Sequence, residues 1–168
     1  MQEHVSFSKA RSAKYPEMVQ IIMVPDGAGG HNPMTASWVM FTSIEPPMLA
    51  ISIGHERYSH DLVRSAGEFV VAYPSVEMEQ EITEFGSASG RDEDKLAKLG
   101  TPIQPGTATG CVLLADAVAN FECKVRGELP SGDHTIFVGE IIASHVNTKP
   151  VDRMYVLERK RFGGLRPV

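Results

Sequence analysis

Apolar residues come in short runs cut by glycine and proline. Residues 18–24 (MVQIIMV) are apolar and β-branched and stop at Pro25, which predicts a buried strand. DGAGG at 26–30 predicts a turn. Residues 34–44 (MTASWVMFTSI) predict a second strand, ended by Pro46-Pro47, and residues 48–53 (MLAISI) a third, ended by Gly54. Ser59 is placed to cap a short helix that carries Leu62, Val63 and Ala66 on one side and stops at Gly67. FVVAY at 69–73 is another strand. Ser75 opens a second helix through Met78, Ile82 and Phe85 to Gly86, and Asp92 opens a third through Leu96 and Leu99 to Gly100. The last third is strand-rich. Residues 111–129 run apolar and alternating, SGD at 131–133 is a hairpin turn, and 134–146 returns with Gly139 as a bulge site. Residues 154–162 read as an edge strand blunted by Lys and Arg.

Many strands with three short helices between residues 59 and 100 do not alternate as a doubly wound sheet would. The expected fold is mainly β: a closed or split β-barrel with a helical insertion. A length of 168 residues predicts one domain, with residues 1–14 as an N-terminal arm and 147–168 as a C-terminal extension. Sixteen Lys and Arg against 21 Asp and Glu give a net charge of -5, which argues against a nucleic-acid partner. No apolar run approaches the roughly 20 residues of a membrane span. The N-terminus lacks the apolar core of a secretory signal. Cys111 and Cys123 form neither a disulfide framework nor a zinc knuckle, so a reduced, cytoplasmic setting is expected.

Three segments are candidates for chemistry. In HNPMTASWVMF (31–41), Thr35, Ser37 and Val39 would face one side of a strand, and Ala36, Trp38 and Met40 the other. Hydroxyls and small side chains there let a ligand approach the backbone; the alternative is a barrel strand whose hydroxyls bond only their neighbours. In SIGHERYSHDL (52–62) a strand end meets a helix start. Free N–H groups there attract phosphate, and Arg57 adds a charge-assisted contact. The alternative is that Ser59 only caps and Arg57 is solvated. His55 and His60 lack a third ligand nearby and are read as a surface pair rather than a zinc site. In GDHTIFVGEI (132–141), His134 stands at a strand mouth, able to bond a ligand or act as an acid, or simply to be a satisfied strand-end residue. The 26–30 glycines lack the Lys-Ser/Thr ending of a phosphate loop, and no Rossmann fingerprint occurs. Both cysteines read as packed hydrophobes, and the charged EMEQE and RDEDK segments as solvated helix faces.

The ordered series HNPMTASW, TSIEPPMLAISI, ERYSHDLVRSAGEFVVAY, DKLAKLG and GDHTIFVGEI resembles the flavin reductase-like family of FMN-binding split-barrel proteins, the flavoredoxin type in particular. The series covers roughly residues 15–146. The resemblance implies a homodimer with FMN near the interface and NADH or NADPH as co-substrate. The strand holding Asn32, Met34, Thr35, Ala36, Ser37 and Trp38 would lie along the isoalloxazine, with backbone N–H groups and the Thr35 and Ser37 hydroxyls at its polar edge. Ser52, Gly54 and the Arg57-Tyr58-Ser59 turn would hold the ribityl phosphate. Phe85, Gly86 and Ser87 would cover one side, and His134 matches a ring-facing histidine of catalytic role. The GAGG insertion and the FGGLRP tail depart from the pattern.

On that resemblance the expected activity is hydride transfer from NAD(P)H to flavin, then electron delivery to a small-molecule or protein acceptor. The cofactor carries the chemistry, so no nucleophile or carboxylate pair is required. An FMN-binding electron carrier or sensor without direct NAD(P)H reaction would need the same pocket. A non-enzymatic small-barrel binding module is the alternative of another class, and the acidic charge and 7% aromatic content weigh against a base-stacking version of it.

Overall fold

The computed structural model describes residues 1–158 and 160–165. The chain runs α1 (Phe7–Ser12), β1 (Glu17–Met18), β2 (Gln20–Pro25), β3 (His31–Ala36), β4 (Val39–Ile44), β5 (Pro47–Gly54), α2 (Tyr58–Ala66) and β6 (Glu68–Tyr73). A 3-10 turn (Val76–Met78) leads into α3 (Glu79–Ser87) and α4 (Lys95–Leu99). Then come β7 (Ile103–Pro105), β8 (Val112–Leu114), β9 (Ala119–Ser131), β10 (His134–Val146), β11 (Arg153–Glu158) and β12 (Arg161–Leu165).

Seven strands form one antiparallel sheet in the order β3-β2-β6-β9-β10-β5-β4. Laid flat, six interstrand steps would separate its ends by about 29 Å. Yet the end strands β3 and β4 are joined by Ser37 and Trp38 alone, a reach of about 11 Å. The sheet must therefore curl until its ends approach, which is the split-barrel form the strand pattern led us to expect. Small sheets β1-β11-β12 and β7-β8 flank it.

The apolar runs of β2 and β6 are continuous because both faces are buried. Ile21, Met23, Val70 and Ala72 join one core cluster, with Ile82 and Phe85 of α3. Ile22, Val24, Phe69 and Val71 point the other way, into a second cluster with Leu49, Ile51 and Phe137. The two-residue period sorts successive side chains to opposite cores. Cys111 and Cys123 are free and buried, and burial pushes the Cys111 thiol up to about 12.

Several local expectations need correcting. The run 34–44 is two strands, broken at Ser37-Trp38 where the chain crosses between the sheet's ends. Likewise 111–129 divides into β8 and β9, and 154–162 into the hairpin β11-β12. Gly86 does not stop its helix; α3 continues to Ser87 with Ala88 as C-cap. The third helix opens at Asp94, not Asp92: the Asp94 carboxylate accepts from the Leu96 and Ala97 N–H groups. Gly67 and Gly100 do terminate helices in the left-handed conformation. The register shifts beside Gly139, with Arg126 of β9 as the extra residue. In the N-terminal arm, α1 is a helix with no buried residue. Part of the tail, residues 166–168, lies outside the described residues.

Candidate functional site

The site is a groove along β3 with two lobes that share Met34, Thr35 and Arg57. The first, of about 260 Å³, lies between the start of α2 and a strap formed by the end of α3 and residues 88–91. Arg57 is the N-cap of α2 in extended geometry, and among the described residues no side chain caps the helix. Ser59 is not that cap. It sits inside the first turn, 3% exposed, where its Oγ accepts a 2.7 Å hydrogen bond from Asn32 Nδ2 of β3. The opening turn of a nine-residue helix is thus left without a side-chain acceptor, next to a buried hydroxyl. Such a terminus favours an anion. Asn32 is itself buried, and its Oδ1 has no hydrogen-bond partner among the described residues.

The strap is tied down at several points. Lys95, 3% exposed, donates from Nζ to Pro33 O at 2.5 Å and to Ala88 O at 3.3 Å. Burial lowers its ammonium to about 8. Arg91 donates from Nη1 to Glu56 O at 3.2 Å, and its guanidinium lies 5.1 Å from the Tyr58 ring centroid. Gly90 passes so close to Asn32 Oδ1 that a β-carbon would collide with it.

The second lobe, of about 390 Å³, is bounded by Ala36, Ser37, Trp38, Ser52, Gly54 and His134, with Arg11 and Lys14 of the arm and Glu17 of β1. β10 pairs with β5 so that His134 stands opposite Gly54. The His134 ring lies 4.8 Å from the half-exposed Trp38 ring. Its Nδ1 is 2.6 Å from Asp133 Oδ1, an interaction that holds the Asp133 carboxyl below its usual range. Arg11 lies 5.6 Å from the Trp38 ring centroid, so the arm covers this lobe from the side.

Every residue named from the sequence lines one lobe or the other. Thr35 also has a structural role: its hydroxyl proton is committed to Ile82 O at 2.7 Å, which ties β3 to α3 and leaves only the oxygen's acceptor capacity for a ligand. Phe85 is buried, and Ser87 donates to Thr83 O. Sequence reasoning missed Ser89, Gly90, Arg91 and Lys95. The RDEDK segment is not merely a solvated face, since buried Lys95 and exposed Arg91 both line the first lobe. The signal was two cations flanking three acids, directly after a glycine. His55 and His60 both place Nε2 on Thr135 Oγ1, at 3.2 and 3.0 Å, which ties the start of α2 to β10; His60 is buried, not a surface residue.

The family description "Flavin reductase like domain" matches residues 12–166. The chain belongs to the flavin reductase-like family. A protein of Archaeoglobus fulgidus is 38% identical over 128 residues, 76% of this chain and 71% of the relative. The NADH-dependent FAD reductase of Streptomyces globisporus is 29% identical over 133 residues, 77% of this chain and 70% of the relative. An FMN-binding protein of Thermus thermophilus superposes with a TM-score of 0.85 at 24% identity, over 98% of this chain and 95% of that one.

In this flavin reductase-like chain the groove fits a flavin nucleotide. One lobe offers an uncapped helix start, two arginines and an orphaned buried amide oxygen, the chemistry of a phosphate-bearing polar chain. The other offers a Trp ring and small-residue backbone, the chemistry of a planar ring system.

Proposed function

We propose that this flavin reductase-like protein binds FMN in the β3 groove, reduces it with NADH or NADPH, and passes the electrons to a second acceptor. The observation that carries this reading is the pairing of an uncapped, arginine-flanked helix start with an aromatic lobe on one continuous strand. A bound flavin would supply the hydride acceptor and the onward electron donor. The relative from Streptomyces globisporus, an NADH-dependent FAD reductase, supports the nicotinamide reaction, and the FMN-binding neighbour supports the flavin.

The chain's own residues have separable tasks. Arg57 and the first turn of α2 neutralise phosphate. Asn32 orients Ser59, which leaves the Ser59 hydroxyl proton free to donate toward the cavity. Backbone N–H groups around Ser37 stabilise negative charge at the ring's polar edge. Trp38 and His134 wall the lobe where nicotinamide would stack, and Asp133 orients the imidazole. His134→Ala is expected to slow nicotinamide-dependent bleaching of the flavin by about tenfold to a hundredfold, with flavin affinity nearly unchanged. Anaerobic stopped-flow mixing with each nucleotide, alongside an equilibrium flavin titration, checks this. Equal rates in variant and wild type would remove His134 from the reaction.

The same reading includes a homodimer in a reducing, cytoplasmic setting. Edge strand β4 leaves Met40, Phe41 and Ile44 exposed, the last at 91%, and a second copy would cover them. Sedimentation of the flavin-loaded protein at twice the 18.3 kDa chain mass is expected. A monomer with flavin bound would contradict it.

A further inference from the structure

The strap across the first lobe is more than a lid. Arg91 comes from outside α2 yet bonds the backbone of Glu56, just before that helix, and stacks on Tyr58, its first residue. This closes one side of the lobe. The backbone under Arg91 is fixed by Ser89, whose Oγ accepts from Arg91 N at 3.2 Å and whose carbonyl accepts from Asp92 N at 3.1 Å. Lys95 anchors the strap's other end through Ala88 O. Two guanidinium groups, Arg57 and Arg91, therefore line the same small cavity as the uncapped helix start, with Glu56 as the lining carboxylate.

We propose that Arg91 is a specificity-determining residue that favours a flavin ending in a monophosphate over one extended by an adenylate. This rests on the flavin reading of the groove. A terminal phosphate monoester carries a charge of about −1.5 to −2 near neutral pH, as phosphorylated side chains do. Each phosphate of a dinucleotide's pyrophosphate has one ester and one anhydride link and carries a single charge. Two arginines and a helix start suit the doubly charged group, and a planar guanidinium recognises its terminal oxygens in pairs. An adenylate that leaves the phosphate on the strap side meets the Arg91–Glu56 O hydrogen bond, and passing there would break it and unstack Tyr58.

The test is a set of equilibrium titrations of the flavin-free protein with FMN, FAD and riboflavin, followed by fluorescence quenching. The wild type is expected to bind FMN at least about tenfold more tightly than FAD. In Arg91→Ala the FMN affinity falls by about tenfold or more while FAD and riboflavin change by less than about threefold, so the preference collapses. Arg91→Lys, which keeps the charge but not the fork or the stacking, restores part of the preference. An unchanged melting temperature in the variants establishes that they fold. A wild type that binds FMN and FAD equally, or an Arg91→Ala protein that loses both alike, overturns this assignment alone. A wild type that binds no flavin overturns the flavin reading and this assignment with it.

Discussion

Glu122→Gln lowers the melting temperature at neutral pH by about 10 °C, from a loss of about 3 kcal/mol. The Glu122 side chain is fully buried. Its Oε1 accepts from Thr107 N, Thr107 Oγ1 and His145 Nε2 at 2.9, 2.9 and 2.8 Å. Its Oε2 accepts from Ala108 N, Thr109 N and Thr109 Oγ1 at 3.0, 2.8 and 2.7 Å. This one carboxylate closes the loop between β7 and β8. Burial pushes its pKa up, but the hydrogen bonds outweigh burial and hold it far below the usual carboxylate range. A glutamine amide would turn an NH₂ group toward donors and leave several of them unpaired. The pH dependence follows from the depressed folded value. The contribution is complete above the unfolded pKa of about 4.3 and is lost as the pH falls below it. Thermal melts at pH 7 and pH 3.5 check this: the gap between wild type and variant should narrow at the lower pH. A gap that is absent at pH 7 would show that the loop does not depend on this carboxylate.

Gly90→Ala weakens FMN binding by about thirtyfold or more, with a stability cost of only about 1–2 kcal/mol. The added methyl would collide with Asn32 Oδ1 and approach Tyr58 Cδ1 to 3.3 Å. Asn32 cannot yield freely, because its Nδ2 holds Ser59 and its side chain is buried. The strap must therefore lift, and the phosphate lobe opens. A flavin titration beside a thermal melt separates the two effects. Unchanged affinity in a folded Gly90→Ala protein would mean that the strap plays no part in binding.

The strands were legible where burial enforces a period. The continuous runs in β2 and β6 and the hairpin at Gly132-Asp133 fall where the residue types put them, because side-chain alternation and turn chemistry are local. What sequence could not convey was competition between distant groups. Ser59 looks like a helix cap until Asn32, 27 residues earlier, takes its oxygen. The Thr35 hydroxyl looks free until Ile82 O takes its proton. Lys95 looks solvated within an acidic segment, yet its stem lies under the strap and its ammonium bonds two main-chain carbonyls. The strand break at Ser37-Trp38 was hidden for a related reason. Nothing in an apolar, β-branched run announces that the sheet has to curl back on itself there. The residues carried over from the family resemblance all line the groove, and the tertiary contacts show which of their polar groups are already engaged.

On the proposed reading the β3 groove holds a flavin that accepts electrons from a nicotinamide nucleotide. FMN-loaded protein mixed anaerobically with NADH, and separately with NADPH, tests it most directly. Rapid loss of the flavin's visible absorption is expected with at least one nucleotide, and a much slower loss in the His134→Ala protein. A flavin that stays bound and oxidised with both nucleotides would contradict it.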